Sequence, residues 1–543
     1  MYNINKLLIL AFLVMSIGCS KDDNTIETPI LEKSDAKELL VIAFKLDTNP
    51  DLASEINGSV EKNNKSALLT LPIGTSLTNL TPTIQISDKA TYSPKGAQDF
   101  SNDIVYTITA EDGSTANYVV KVEVSESSES ELVRFIFREV DNGIPETVEG
   151  FIDTENASVR LVTTTNTDLT SLVPQLEVSE GASYAPQGIQ NFSEPVIYTI
   201  TAADGTQSEY TLDVKTERDL LIAIAEANPN HTLDWHLADA NIENWDVELN
   251  ENGYVEELYL NFANLSELPD EIGFFKKLKE LDLSENPFTK LPKSIGNLSN
   301  LIELDLEETN LKELPGEFTQ LEALNELYLD ETLFQEFPEE IFQLTNLIRL
   351  QYQENQLKEL PKEIGNLKNL EELFLNNNLL FDLPDEIRFL TSLNEIYLSG
   401  NQFEEIPLEL IDLQDLETIG LINNLLSNLP DEVQFMDGLK TFYLGKNQFE
   451  EIPKVLFTLN SLVTLYMEDN VISEIPPVIE SLTNLNTFAI SNNLLKSIPS
   501  ELVSIQSLRN LFIAGNSIEI LPEELCARTD VFITKDDSTI CED

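Results

Sequence analysis

From about residue 255 onward, apolar and polar positions follow one pattern that repeats every 23 residues. A unit reads Leu278-x-x-Leu281-x-Leu283-x-x-Asn286-x-Phe288-x-x-Leu291-Pro292-x-x-Ile295-x-x-Leu298. Prolines keep the phase from Pro269 through Pro292 and Pro315 to Pro522, eleven intervals of 23 residues with no insertion or deletion. Leu281 and Leu283 stand two apart, as in a strand with one buried face. Ile295, Leu298 and Leu301 recur every three residues, which predicts a helical or 3₁₀ turn. The proline after each leucine fixes φ where the chain leaves the strand. One unit cannot bury its apolar residues alone, but stacked units share a continuous core. With strands ~4.8 Å apart, twelve units predict a parallel sheet of roughly 50 Å along its curve.

A second period lies upstream. Ser93-Pro94-Lys95-Gly96 and the stretch Tyr106 to Ala110 recur 92 residues later as Ala185-Pro186-Gln187-Gly188 and Tyr198 to Ala202. Pro82/Pro174, Tyr92/Tyr184, Phe100/Phe192 and Gly113/Gly205 keep the same offset, so one domain is present twice. Each copy ends in two alternating strands around an Asp-Gly turn, in the first copy Ile104 to Ala110, Asp112-Gly113 and Asn117 to Val124. That is a hairpin signal. Several short strands within about 90 residues predict an immunoglobulin-like sandwich over 36–126 and again over 127–217.

The 23-residue unit resembles the leucine-rich repeat, and the resemblance covers about half the chain, residues 255–525. It implies an α/β solenoid, a horseshoe with a parallel sheet on its concave face. The expected fold class is therefore multidomain: two Ig-like β-sandwiches followed by this solenoid. Asn286 sits where the strand turns, and its amide can bond backbone groups left open there. The position is Asn again at Asn355, Asn378, Asn401, Asn424, Asn447, Asn470, Asn493 and Asn516. Ala263, Thr309 and Thr332 depart from it, so early repeats are expected to be tied less tightly. A solenoid needs capped ends. Residues 218–254, with a helix beginning at Arg218-Asp219-Leu220-Leu221, then Trp235, Trp245 and Gly253-x-Val255, resemble the N-terminal cap of many leucine-rich repeat proteins. Cys526 and Cys541 bracket a C-terminal cap over 526–543. A disulfide is expected there in an oxidising compartment, with two free thiols as the alternative.

The N-terminus sets that compartment. Lys6 precedes an apolar run from Leu7 to Ile17, too short to span a bilayer and suited to a signal segment over 1–18. Ser16-Ile17-Gly18-Cys19 resembles a bacterial lipobox, with Ser16 where leucine is commonest. The resemblance implies cleavage before Cys19 and acylation of that residue, a firm anchor at ~0.8 kcal/mol per buried CH₂. An ordinary secretory signal with a chance cysteine is the alternative. Ser20-Lys21-Asp22-Asp23 resembles the Lys-acidic-acidic signal that sends Bacteroidetes-type lipoproteins to the outer face of the outer membrane, with 19–35 as a tether. The two β modules resemble sandwich repeats common near the membrane in such lipoproteins. Their implied role is a spacer, the alternative being direct ligand binding.

Charge and composition then narrow the chemistry. Lys and Arg number 33 against 95 Asp and Glu, a net charge of −62, which excludes nucleic acid as a partner. The chain has two histidines, His231 and His236, and three cysteines, Cys19, Cys526 and Cys541. That leaves little material for His- or Cys-based catalysis or a zinc site. Glu248-x-Asn250-x-Asn252-Gly253 has Tyr259 where a calcium loop needs its last carboxylate, so no EF-hand is expected. No catalytic residue, cofactor or metal is predicted, and membrane contact is expected only through the N-terminal lipid.

The residue between the two inward strand leucines must point out of the core. In twelve repeats it is aromatic seven times, at Tyr259, Tyr328, Phe374, Tyr397, Tyr443, Tyr466 and Phe512, in a chain with 8% aromatic residues. Strand propensity alone favours aromatics there, but exposed aromatic columns also mark binding surfaces. Two positions earlier stand Glu257, Glu280, Glu303, Glu326, Glu372 and Glu395, interrupted by Arg349 and followed by Thr418, Thr441, Thr464 and Thr487. Like charges side by side cost stability, so the glutamate column requires compensation. The expected function is non-catalytic recognition of a protein ligand by this face, through the seven aromatics with Glu303 and Glu326, in adhesion or contact with a host or neighbouring cell. Glycan capture for nutrient uptake and a structural envelope role are the alternatives.

Overall fold

Strict alternation builds the two β modules. In the first, Thr115–Val124 alternates exposed and buried along its length, which drives Tyr118, Val120 and Val122 into a core with Phe44, Leu69, Phe100 and Tyr106. The computed structural model describes residues 32–235, 242 and 245–541. The signal segment, Cys19, the Lys21-Asp22-Asp23 stretch and His236 lie outside the described residues. The first module has a three-stranded antiparallel sheet in the order Ile56–Asn57, Leu39–Phe44, Pro82–Ile86. Its five-stranded sheet runs Ser59–Glu61, Ser66–Leu71, Thr115–Val124, Ile104–Thr109, Thr91–Ser93, with a parallel pair formed by Ser66–Leu71 and Thr115–Val124. The second module repeats this order from Leu132–Phe137 to Gln207–Thr216. At both Asp-Gly turns the glycine takes a left-handed φ, 89° at Gly113 and 90° at Gly205, a conformation that costs glycine nothing.

The C-terminal half is one parallel sheet backed by 3₁₀ turns. Its short strands are Val255–Tyr259, Glu280–Asp282, Glu303–Asp305 and so on to Asn510–Phe512, with Phe532–Thr534 closing the far edge. Each pairs in parallel with the next at a 23-residue offset, as Leu281 with Leu304 and Leu304 with Leu327. The opposite side carries 3₁₀ turns such as Lys293–Asn297, each entered through the repeat's proline. Gly296 lets adjacent turns touch, since a Cβ there would lie 2.2 Å from the Glu317 carbonyl oxygen. The inward residues form a single apolar core from Leu220 to Val531.

The asparagine ladder fastens successive units. The Asn378 side chain, 3% exposed, donates to the Tyr352, Leu375 and Asn376 carbonyls at 2.7, 3.1 and 3.3 Å. Its oxygen accepts from the Leu357 N–H at 3.1 Å. Each amide thus satisfies buried backbone groups in its own repeat and in the preceding one. Thr309 and Thr332 are too short for this. The Thr309 hydroxyl donates within its own repeat, to the Leu306 carbonyl at 2.9 Å.

The chain divides into two compact units: one is built on the first module, and the other holds nearly all of the second module together with the solenoid. Strand Gln207–Thr216 runs without a linker into the cap helix Glu217–Ala227. A capping box holds the helix start: the Thr216 hydroxyl accepts from the Asp219 N–H at 3.2 Å, and the Asp219 carboxylate accepts from the Thr216 N–H at 2.8 Å. Leu220, Leu221 and Ile224 are buried in the solenoid core, beside Trp235 and Trp245, whose rings stack at 4.8 Å. Other contacts bind the second module to the first repeats. Lys277 pairs with Glu146 at 2.9 Å, the Arg160 guanidinium lies 4.9 Å over the Phe274 ring, and the Thr165 hydroxyl donates to the Gly253 carbonyl at 3.1 Å. Val162 packs directly against the solenoid core. At the far end a disulfide joins Cys526 and Cys541.

Glu217 is buried at this junction, 1% exposed, and accepts from the Val255 N–H at 2.6 Å. Burial pushes its carboxyl up to about 8, against the weaker pull of that N–H and of Lys277. A raised acid contributes stability that is complete below its unfolded value, near 4.5, and is lost as pH climbs through about 8. Glu217→Gln keeps an acceptor for Val255 and removes the titration. The variant should therefore lose less melting temperature than the parent between pH 5 and 9. An unchanged slope would show that Glu217 does not titrate there. A fragment beginning at Arg218 lacks both Glu217 and the second module, and should melt well below one beginning at Ser130.

Candidate binding face

The three residues of each strand alternate half-buried, buried, half-buried, so two columns of side chains stand on the solvent side of the sheet. The first column holds the glutamates and threonines, the second the aromatics. Every residue singled out from sequence on these strands (Tyr259, Glu303, Glu326, Tyr328, Phe374, Tyr397, Tyr443, Tyr466 and Phe512) lies on this side.

The aromatics do not all meet. Phe374 and Tyr397 stack in parallel with centroids 4.8 Å apart, and Tyr443 and Tyr466 stack at 5.0 Å. Tyr397 and Tyr443 lean together to 6.5 Å across the intervening strand. They can do so because Gly420 lies between them: a Cβ there would sit 2.8 Å from Tyr397 Cδ1. These four rings form one ladder. Phe512 is separated from it by Ala489 and meets Phe532 edge-on at 6.2 Å. Tyr259 and Tyr328 are separated from each other by Asp282 and Asp305, and Tyr328 is separated from Phe374 by Gln351.

The glutamate column finds part of its compensation along the strand. Tyr259, Tyr328 and Tyr397 donate their hydroxyls to Glu257, Glu326 and Glu395, at 2.5, 2.6 and 2.8 Å. Arg349 supplies the rest. It reaches Glu326 at 3.6 Å and Glu372 at 2.6 Å, and its guanidinium lies 5.6 Å from the Phe374 ring centre.

Glu303 has neither kind of help. Asp305 stands where the other repeats place tyrosine, and the next outward position adds Glu307 and Asp330. Burial and then the neighbouring carboxylates push Glu303 up to about 7. Burial lifts Asp305 to about 6. Burial, then Asp305 and Asp330, lift Glu307 to about 8. The column of Glu307 and Asp330 escaped the sequence reading, although its signal was available four residues beyond each column glutamate. It continues as a chain of polar contacts across repeats: Gln353 donates to Asp330 at 2.6 Å, Asn376 to the Gln353 carbonyl oxygen at 2.6 Å, and the Ser399 N–H to Asn376 at 2.8 Å. Among the described residues, no group of three His, Cys, Asp or Glu is placed to hold a metal ion.

Comparison with known proteins agrees with this geometry. Residues 277–298 match the Leucine Rich Repeat family and residues 295–379 the Leucine-rich repeat region family. A leucine-rich repeat protein of Leptospira interrogans is 30% identical over 51% of this chain and 83% of its own, with a TM-score of 0.40. The chain belongs to the leucine-rich repeat proteins. An internalin of Listeria monocytogenes is 22% identical over 52% of this repeat protein and 86% of its own length, with a TM-score of 0.43. The plant peptide hormone receptor RGFR1, solved in complex with RGF2, is 26% identical over 54% and 60%, with a TM-score of 0.40. Residues 41–122 and 140–214 match the family described as SGBP, N-terminal, the surface glycan-binding proteins. No curated protein matches significantly.

The crowded carboxylates set a pH dependence for the repeat array. Acids raised in the folded state contribute stability that is complete below pH ~4 and is lost as pH climbs through their folded values, about 6 to 8 here. The protein should therefore melt higher at pH 5 than at pH 8.5. Asp305→Asn/Glu307→Gln should raise the melting temperature at pH 8.5 and narrow that gap. A variant that melts lower at pH 8.5 would show these groups to be ionised and stabilising.

Proposed function

We propose that this leucine-rich repeat protein is a lipid-anchored surface protein of a bacterial outer membrane, and that it recognises a protein ligand without catalysis on the concave face of its solenoid. The observation that carries the reading is the four-ring ladder Phe374, Tyr397, Tyr443 and Tyr466. Interface energy concentrates in a few aromatic anchors, and the Tyr443 and Tyr466 hydroxyls have no protein partner among the described residues. The stacking also bears on ligand class. Sugars pack on exposed ring faces, whereas here Phe374 faces Tyr397 and Tyr443 faces Tyr466. Edges and hydroxyls are what the ladder offers outward, and these suit a polypeptide.

Anchoring rests on the sequence at Cys19 and on Lys21, Asp22 and Asp23. A surface location is supported by the SGBP match of the two modules, which act in this reading as Ig-like sandwich spacers. Among the described residues no helix is long and apolar enough to cross a membrane. A second reading, glycan capture, draws on the same SGBP match and predicts binding to a glycan array by the chain from Ser20 to Asp543.

Tyr397→Ala/Tyr443→Ala/Tyr466→Ala should abolish capture of a glycosidase-resistant protein partner while lowering the melting temperature only slightly, since each ring contact is worth about 0.5–1.5 kcal/mol. Leu398→Ala or Leu444→Ala, at fully buried positions, should each cost ~2–5 kcal/mol. Undiminished capture by the folded triple variant would move the site off this face. Cys19→Ala should release the protein from membranes in a high-salt wash, and retention would refute the lipid anchor.

A further inference from the structure

The solvent face of the solenoid sheet changes chemistry once along its length. Toward the N-terminal end it carries Glu280, Glu303, Asp305, Glu307, Glu326 and Asp330. Toward the C-terminal end it carries the aromatic ladder beside Thr418, Thr441 and Thr464. Arg349 and Phe374 mark the boundary. Arg349 is the one cation in the two strand columns from Glu257 to Phe512, and Glu326 and Glu372 already engage it. Parallel pairing places Glu280 beside Glu303 and Glu303 beside Glu326. Charges repeated at strand spacing repel each other, and the tyrosine hydroxyls fill lone pairs without cancelling charge.

We infer that the concave face takes one extended polypeptide segment, with lysine or arginine over the carboxylate half and apolar or aromatic side chains over the ring ladder. This deepens the protein-recognition reading and rests on it. Shape favours a single extended chain. The strip is two to three side chains wide, and the eight strand steps from Glu280 to Tyr466 span about 38 Å at ~4.8 Å each. An extended chain rising ~3.3 Å per residue covers that distance with about a dozen residues. Charge complementarity sets its polarity, because a segment with its cations over the rings would leave the carboxylates uncompensated.

The probes are fluorescein-labelled peptides on the chain from Ser20 to Asp543: Lys-Arg-Lys-Arg-Gly-Ser-Gly-Ser-Trp-Leu-Trp-Leu, the same residues in reverse order, and each half alone, read by anisotropy in about 0.15 M salt. One of the two full orders should bind at least about ten-fold tighter than either half, because linkage makes the second contact intramolecular. Glu303→Gln/Asp305→Asn/Glu307→Gln should weaken that peptide about ten-fold while melting no lower than the parent, since it relieves repulsion. Glu339→Gln/Glu363→Gln/Glu432→Gln removes the same charge from exposed positions on the 3₁₀ turns and should change binding less than about two-fold. Equal losses in the two charge variants, or full peptides no tighter than the Lys-Arg half, would overturn the inference. If the tyrosine triple variant loses the captured partner and the carboxylate variant does not, the cationic segment falls and the recognition face stands. If neither variant loses it, both fall.

Discussion

A buried side-chain amide at the end of each strand makes the rest of the solenoid possible. A parallel array of three-residue strands leaves backbone groups unpaired wherever the chain turns, and these lie deep in the stack. Asn378 and its equivalents at Asn401, Asn424 and Asn493 bond carbonyls of their own repeat and of the one before. The cost of burying unpaired polar groups, about 1–3 kcal/mol each, is thereby avoided, and the offset between repeats is locked. The columns on the sheet face follow from that lock. Rings 23 residues apart can stack only if every strand between them holds register.

The same lock concentrates like charges. Glu280, Glu303 and Glu326 are neighbours because the core leucines behind them must be. The chain relieves this unevenly, with hydroxyls at Glu257, Glu326 and Glu395, with Arg349 between Glu326 and Glu372, and with nothing comparable at Glu303 or Asp305. The second repeat and those just after it are therefore under the greatest electrostatic stress. They are also where the amide ladder is weakest, since Thr309 and Thr332 replace asparagine. Tension between local charge and local cohesion falls on one stretch of the array.

Much of this architecture was legible in the sequence because periodicity is physical. A 23-residue repeat with two alternating leucines predicts the strand, its inward pair and its outward residue. The Asp-Gly turns announce their hairpins, and the departures at Thr309 and Thr332 announced looser early repeats. Other features carry no period. The residue before each ladder asparagine adopts a left-handed φ even where it is Glu285, Glu331 or Lys446, identities that give no hint of it. An outward aromatic position says nothing about which rings meet, and Gly420, which brings Tyr397 and Tyr443 together, reads in sequence as a gap in the column. The joining of the second module to the solenoid depends on Arg160, Glu146, Val162 and Thr165, four scattered residues that become neighbours only in three dimensions.

The seam between strand Gln207–Thr216 and the cap helix also has a mechanical meaning. That strand lies at the centre of its sheet, paired over six residues with Ser158–Thr163 on one side and over six with Val196–Thr201 on the other. A force drawn through the solenoid toward the N-terminal side enters it end-on. Hydrogen bonds on both flanks are then loaded together in shear instead of being peeled one at a time. Because no flexible residue separates strand from helix, the second module and the first repeats move as one rigid handle. Slack under load must then come from elsewhere along the chain, and the angle at which the module delivers the concave face stays fixed.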